Sequence, residues 1–551
     1  MEKRIFIAVV VSIAFLWLWA AVAPKVFPNL IKPKTTVTTP KPATATQTAN
    51  TTTTRTTTPN SPAAVAQRTP AAPPVPIKPT AAQSMEFTTI DTPEYVARFS
   101  NRGAVLVSFQ LRNYKTKEGG PVELVKSRDA SRTDFPFSIE ARDPSLATRL
   151  NSALYSLNKR DEHGGTILEY RYAAADGIAA TKTFRFTGEY LFNFSVDVAP
   201  PIPYRVSIGP GIRTLEPDEK DSQFTITGNG VAQINDDLKI IRREKSGNLT
   251  TYDSAQFVGV EDNYFLAVLR PEKASGALLR AIDFGTSKDK RREIYAAVNA
   301  APDGIVTGAA FFGPKETTLL DRYGFERTLQ YGTFGIIARF FLIVLKWLNK
   351  YTHNYGWAIV VLTILIKVVL YPLQHKWMMS MKKLQKVQPK MEAIKARYRK
   401  HKTDPEQRQK MNADMMKLYQ QEGINPAGGC LPMLIQFPIF VGFYNLLSHA
   451  IELRGAPFIL WIHDLSAKDP TYVLPILMTV AMFVQQFITP TTADPAQRRM
   501  FLIMPIVFGW IFKEFPSGLV LYWLVQNILT IVQQMIMNRY WKDHPAELQT
   551  A

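Results

Sequence analysis

Cysteine is almost absent from this 551-residue chain, which has one, Cys430. A disulfide within the chain is therefore excluded, as is a zinc site built on several thiolates. The seven histidines are scattered, with no metal-ligand spacing. There is no GxxxxGK followed by Ser or Thr, no HExxH and no GxSxG, so the common nucleotide-binding, zinc-protease and hydrolase signatures are missing. An enzyme whose groups lie far apart in sequence would escape that scan. The expectation is a protein that is not an enzyme and needs no metal or cofactor. Acid is missing from one long stretch. Residues 32–84 hold six Lys/Arg, no Asp or Glu, and mainly Thr, Pro and Ala. Such a segment cannot bury a core and reads as a disordered tether, with a coil reach on the order of 40 Å.

What is present in excess is positive charge, 65 Lys+Arg against 46 Asp+Glu, for a net +19. A basic balance of this size raises nucleic acid or an anionic membrane surface as partners. Its distribution decides between them. Residues 85–332 sum to −1, whereas 374–427 carry 13 Lys/Arg against 5 Asp/Glu. No nucleic-acid-binding domain is expected. The mean hydropathy of −0.07 hides a second unevenness, because apolar residues come in blocks.

The first block, Ile5–Ala23, follows Met1-Glu2-Lys3-Arg4. Its nineteen residues would cover about 28 Å, enough for a bilayer core, and the basic start predicts a cytoplasmic N-terminus. A cleaved signal peptide competes, since Ala21-Val22-Ala23 resembles a cleavage site, but Pro24 would hinder the peptidase. Residues 1–31 are therefore read as an anchor, and 32–84 as the linker. From 85 to 332 the period is two, as in Ala104–Phe109, Thr166–Tyr172, Thr183–Phe186, Phe192–Val196 and Tyr264–Leu269. Short alternating strands between Gly, Pro and Asp turns predict an extracytoplasmic β-sandwich.

Further apolar blocks occupy Gly356–Leu373, Gly428–Ser448, Tyr472–Ile488, Met500–Phe512 and Ser517–Met537. The basic segment 374–427, the loop 489–499 and the tail belong in the cytoplasm by the positive-inside rule. The block 333–355 carries Arg339, Lys346 and Lys350 on one helical stripe. If it spanned, the thirteen-cation loop would lie outside, so it is read as an interfacial amphipathic helix on the outer face. The count is six spanning helices with both termini inside. Residues 356–551 hold five of them, with a cytoplasmic helical hairpin at 374–427.

Within Gly356–Leu373 stands Lys367, with Thr363 and Tyr371 one turn to either side. A charge in a spanning helix costs roughly 2.5–3.5 kcal/mol and marks a function by default. One reading is a wet cavity that attracts an anionic group; the other is a lysine snorkelling to the inner interface. Gln436, Asn445, Gln526, Asn527, Thr530, Gln533 and Gln534 could line such a cavity or hydrogen-bond between helices. Phe437, Phe440, Tyr522 and Trp523 could form an apolar wall facing lipid or a client, or ordinary packing. In the hairpin, Met381, Leu384, Met391, Ile394 and Tyr398 follow helical spacing. Asp404-Pro405 starts its second arm and Gly423 stops it. Seven of the sixteen methionines lie between Met378 and Met416, which suits a surface for varied apolar partners; a basic hairpin resting on anionic lipid is equally compatible.

Several stretches carry a family resemblance: Gln421–Pro432 (QEGINPAGGCLP), Gln436–Phe440 (QFPIF), Glu452–Phe458 (ELRGAPF) running on through Trp461–Ser466, Phe515–Trp523 (FPSGLVLYW), and Tyr371-Pro372-Leu373. The chain resembles the YidC-type membrane protein insertases, in the long Gram-negative form, closely over its last 220 residues and in position and type over the β-region, including Phe312–Lys315 (FGPK). The resemblance implies a polytopic α-helical protein of the bacterial inner membrane, with a periplasmic β-supersandwich and a five-helix core. That core would enclose a hydrophilic groove open to cytoplasm and lipid and closed on the outer side. It implies a client-binding groove at Lys367, Thr363, Gln436 and Gln526. A slide for the client helix would lie at Phe437, Phe440, Tyr522 and Trp523, and hairpin contacts at Met381, Leu384, Met391 and Met415. Lys367 stands where the family usually has arginine, which keeps the charge and loses a planar fork. Trp523 stands where tyrosine is commoner. Implied partners are nascent membrane proteins, the Sec translocon, the ribosome or signal recognition particle, and anionic lipids. The alternatives are a small-anion transporter or channel with Lys367 in its pathway, although no helix repeat is visible, and a chaperone that folds without inserting.

Overall fold

Alternation builds the first unit and apolar helices the second. The computed structural model describes residues 79–125, 134–162, 164–213, 228–242, 249–284, 291–398, 404–423, 431–489 and 495–543. The expected anchor at 1–31 and nearly all of the linker lie outside these residues. The chain divides into a β-rich unit that ends at Gly313 and a helical unit that runs on from Pro314.

In the β-rich unit the described strands form three sheets. The four-stranded sheet is β1 (Phe87–Asp91), β2 (Tyr95–Ser100), β3 (Val105–Lys115) and β4 (Pro121–Glu123) in that order. Next in the chain come β5 (Ile139–Ala141), helix α1 (Pro144–Ser152), β6 (Ser156–Glu162), β7 (Gly165–Ala173), β8 (Ala179–Phe186), β9 (Leu191–Ala199) and β10 (Tyr204–Ile208). Then follow β11 (Asn229–Ile234), β12 (Asp237–Ile241), β13 (Leu249–Ala255), β14 (Phe257–Glu261), β15 (Phe265–Pro271), β16 (Ser275–Phe284), β17 (Arg291–Asn299) and β18 (Ile305–Pro314). A five-stranded sheet runs β13-β16-β17-β10-β5, and a nine-stranded sheet runs β12-β11-β14-β15-β18-β9-β8-β7-β6. The five alternating segments picked out in the sequence fall on these strands, with Ala104 and Tyr264 one residue ahead of β3 and β15.

The core is aromatic where the four-stranded sheet meets the large one. Phe99 lies 4.7 Å from Phe184, and Phe109 lies 5.4 Å from Phe312. Gly230 of β11 is required by close approach: a Cβ there would sit 2.9 Å from Ile294 of β17 and 3.1 Å from Leu279 of β16. A lysine side chain enters this core. Lys182 shares the inward face of β8 with Ala180, Phe184 and Phe186 and is fully buried. Its Nζ donates to the carbonyls of Gly103 (2.6 Å) and Phe137 (2.7 Å).

The helical unit contains α2 (Thr317–Tyr323), α3 (Gly335–Thr352), α4 (Tyr355–Arg397), α5 (Pro405–Gln421), α6 (Leu431–His449), α7 (Val473–Ile488), α8 (Pro495–Phe512) and α9 (Ser517–Asp543). Two of the described helices, α4 and α9, are long and apolar enough to cross a membrane; α7 and residues 502–512 of α8 are shorter apolar segments. The apolar block Gly356–Leu373 and the first arm of the basic hairpin segment are continuous. Helix α4 runs on for 43 residues through Pro372 and Pro389, about 65 Å, so the span and the first hairpin arm are one rod. Asp404 caps α5, its carboxylate accepting from the Glu406 amide at 3.0 Å with Pro405 in the first turn. Gly423 ends that arm at φ +63°. Helix α3 carries Arg339, Lys346 and Lys350 as expected, and docks on α6, with Phe341 4.6 Å from Phe443.

Candidate functional site

The helical unit is inside out relative to a water-soluble bundle. Along α4, Ile364, Leu365, Val368 and Val369 are exposed, while Thr363 and Lys367 are buried. Helices α7, α8 and α9 likewise expose Ile476, Phe487, Ile503, Trp510, Val532 and Ile536, while Asn527, Gln533 and Gln534 of α9 are buried. Apolar side chains outward and polar ones inward is the arrangement a hydrocarbon solvent selects.

Helix α9 holds the centre. It meets α4 through Lys367 and Thr530, and α6 through Gln436, whose amide donates to the Tyr522 hydroxyl. It meets the end of α7 at the Thr489 hydroxyl, whose single hydrogen is shared between the Gln485 carbonyl at 2.7 Å and Gln534 Oε1 at 3.1 Å. One end of the bundle is capped by the segment between α6 and α7. Gly518 makes this possible: a Cβ there would lie 2.8 Å from Leu447, 3.1 Å from the Leu465 carbonyl and 3.3 Å from Ile359. Ser517 and Gly518 donate their amides to the Ala467 and Leu465 carbonyls at 2.7 and 2.9 Å. At the same end Gly356 lies against Phe458, and the Asn354 side chain donates to the Phe458 carbonyl. Lys367 stands eight residues beyond Ile359, about 12 Å along the helix from this capped end.

Lys367 is 8% exposed and donates to Thr530 Oγ1 at 2.8 Å. It faces the bundle interior and does not snorkel. Thr363 lies one turn away on the same buried face, its hydroxyl given to the Ile359 carbonyl at 2.7 Å. Tyr371, expected on that face, is 47% exposed, because eight residues rotate the helix by about 80° past two full turns. Gln526 Oε1, Asn527 Nδ2 and Gln533 Nε2 are buried and find no hydrogen-bond partner among the described residues.

The four aromatic positions separate. Phe437 is exposed, 6.3 Å from Phe334. Phe440 and Trp523 pack edge to face at 5.3 Å, with Phe512 beside them. Tyr522 is fully buried and stacks on Phe443 at 4.3 Å. Adjacent helical residues point about 100° apart, so Tyr522 and Trp523 cannot share one surface. In the hairpin, Met391 and Leu418 form a core with Val387, and Leu384, Met415 and Tyr419 pack against it. These methionines and Leu384 hold the two arms together. Met381 is half-buried, and the exposed methionine of the second arm is Met416.

Sequence reasoning missed Lys182 and did not single out Thr530. Lys182 gave one signal, its phase with Phe184 and Phe186 in an alternating strand. Thr530 was seen as one polar group among several; its i−4 bond to Gln526 and its pairing with Lys367 need the packed helices.

Comparison with known proteins follows the two units. Residues 347–544 match the family model described as 60Kd inner membrane protein, and residues 87–344 match the YidC periplasmic domain. Relatives include the membrane protein insertase YidC of Geobacter metallireducens, 35% identical with 98% of each chain covered. That of Nitratidesulfovibrio vulgaris is 36% identical over 81% of this chain and 85% of its own. Among solved structures, one described as an active YidC insertase with the first transmembrane domain resolved is 18% identical, covers 83% of this chain and 93% of its own, and has a TM-score of 0.37. YidC from Thermotoga maritima is 14% identical, with 83% and 99% covered and a TM-score of 0.29. With about a third of its residues identical to such relatives over nearly its whole length, the chain belongs to the YidC family of membrane protein insertases.

Proposed function

We propose that the chain is a membrane protein insertase and chaperone of the bacterial inner membrane. It would carry nascent proteins into lipid through the polar interior of its helix bundle. Six spans would be formed by Ile5–Ala23, the first part of α4, and α6 to α9. Both termini would lie in the cytoplasm and the β-rich domain in the periplasm. The division into 1–31, 32–84, 85–332, 333–355 and 356–551, with the hairpin at 374–427, belongs to this reading. The observation that carries it is a lysine held inside a bundle whose outer surface is apolar.

The capped end of the bundle faces the periplasm and the hairpin the cytoplasm. A client's polar segment enters from the hairpin side, and its acidic residues are drawn to Lys367. Thr363, Gln436 and Gln526 supply further polar surface. The client helix passes Phe437, Phe440 and Trp523 into lipid, with Tyr522 bracing the wall from behind. Met381 and Met416 offer apolar contact on the hairpin, whose basic surface rests on anionic lipid or meets the ribosome or signal recognition particle. Nascent chains arrive directly or beside the Sec translocon. No reaction is catalysed and no nucleotide is needed. Burying a ~20-residue apolar helix supplies many kcal/mol at ~25 cal/mol/Å². The membrane potential adds about 2.3 kcal/mol per negative charge moved outward across 100 mV. The groove shortens the path over which a polar segment is dehydrated, which lowers the barrier and leaves the end states unchanged.

The test is reconstitution. Proteoliposomes of the purified chain without ATP are expected to insert a small single-span client, with photo-crosslinks from Phe437 and Trp523 to the client helix. Failure to insert any small client would contradict a passive insertase, and crosslinks to no client would remove the slide.

A further inference from the structure

Lys367 is a flexible point charge, and something must keep it in the bundle interior. The Thr530 hydroxyl has a single hydrogen, which it gives to the Gln526 carbonyl at 2.7 Å. Its lone pairs are thereby turned away from its own helix, and Lys367 Nζ donates to them at 2.8 Å. The acceptor is neutral, and among the described residues Lys367 has no carboxylate in ion-pair range. Its charge is therefore not neutralised. One N–H is occupied and two remain for an incoming acceptor. The partner sits on α9, the helix that also meets α6 and the end of α7, so the ammonium is referred to the centre of the bundle.

We propose that Thr530 is the positioning residue that fixes the Lys367 ammonium inward, uncompensated, for the carboxylates of a client segment. This rests on the insertase reading above. It assigns to Thr530 a role in discrimination between acidic and neutral clients.

The experiment uses the full chain in proteoliposomes and two single-span clients that differ in a short tail carrying two Asp or two Asn. Thr530→Val keeps the shape and removes the acceptor; Thr530→Ser keeps the acceptor. Thr530→Val is expected to slow the Asp-tailed client roughly tenfold, the effect of losing one hydrogen bond to a charged group, with the Asn-tailed client unchanged. Thr530→Ser restores the preference, and Thr530→Val adds no loss to Lys367→Ala. A second readout needs no client: site-resolved acetylation of Lys367 by a water-soluble reagent should rise several-fold in Thr530→Val and stay at the wild-type level in Thr530→Ser. An acidic preference that survives Thr530→Val, or unchanged acetylation, overturns the proposal. If the wild type inserts neither client, the insertase reading falls, and the acetylation ratio still decides whether Thr530 holds the lysine.

Discussion

Two buried lysines show how differently one residue type is used. Lys182 gives its Nζ to two carbonyls inside the β-rich core, and burial pushes its pKa down to about 7. A neutral amine has two N–H donors, matching the two acceptors. The unfolded chain keeps that lysine protonated up to about 10.4, so between pH 7 and 10 the unfolded state binds the extra proton. Stability of the β-rich unit should therefore rise with pH across that window, by about 1.4 kcal/mol per unit at most, and level off below pH 7. Hydrogen exchange of the full chain at amides of β8 measures it. Lys182→Met should abolish the slope and lower protection at every pH, because two buried carbonyls lose their donor at about 1–3 kcal/mol each. A slope that survives the substitution would assign it to another group. Lys367 has a single neutral side-chain partner, Thr530, at a position that lies among apolar neighbours in the sequence. That the residue is special was legible from the chain, since a charge in Gly356–Leu373 has few explanations. Its direction was not. Snorkelling and facing inward differ only by rotamer and by whether Thr530, 163 residues away, stands opposite.

At the scale of elements, caps and stops were legible because their chemistry is local. Asp404-Pro405 and Gly423 act within one turn, and the structure uses both as read. That the apolar block ending at Leu373 and the first hairpin arm form one helix was not legible, because hydropathy marks where the chain leaves lipid and not where a helix stops; α4 continues through Pro372, with Met378 packed against Met537 and Trp541 of α9 beyond the proline. The hairpin methionines were read as a client surface because flexibility suits varied partners, yet the same flexibility suits a two-helix core with few other apolar residues. Leu418→Ala should separate the arms, costing about 2 kcal/mol or more and raising hydrogen exchange from α5 through the end of α4, while α9 keeps its protection. Exchange unchanged in α5 would show that this core is not what joins them. The start of α7 depends on Asp469. Burial opposes its charge, but the Leu474 amide and the hydroxyl and amide of Thr471 together hold its carboxyl below the usual carboxylate range. A depressed folded pKa contributes stability above the unfolded value and loses it as pH falls through the folded value. Asp469→Ala should therefore fray α7 at neutral pH by about 1 kcal/mol, judged from loss of amide protection at Leu474, and make little difference in acid. An equal effect at both pH values would contradict the carboxylate's role.

For the whole molecule, the net charge of +19 proved a poor guide until it was divided. The β-region is neutral, and the excess lies in the linker and the hairpin segment. Within the apolar blocks read as spanning it comes down to Lys367 alone. The β-rich unit was legible because period-two alternation reports burial on one face. Three sheets, and which of them Gly230 brings together, were not, because strand order depends on contacts that no local pattern encodes. The helical unit follows the opposite rule, with apolar side chains outward and Thr363, Lys367, Asn527, Gln533 and Gln534 inward, the arrangement a hydrocarbon surrounding selects. The most direct test of that account is the initial rate at which proteoliposomes insert an acidic-tailed client, compared between wild type, Lys367→Ala and Lys367→Arg. The account predicts that alanine slows the acidic client about tenfold or more and leaves a neutral-tailed client alone, while arginine keeps the wild-type rate. Alanine inserting the acidic client as fast as wild type would contradict it.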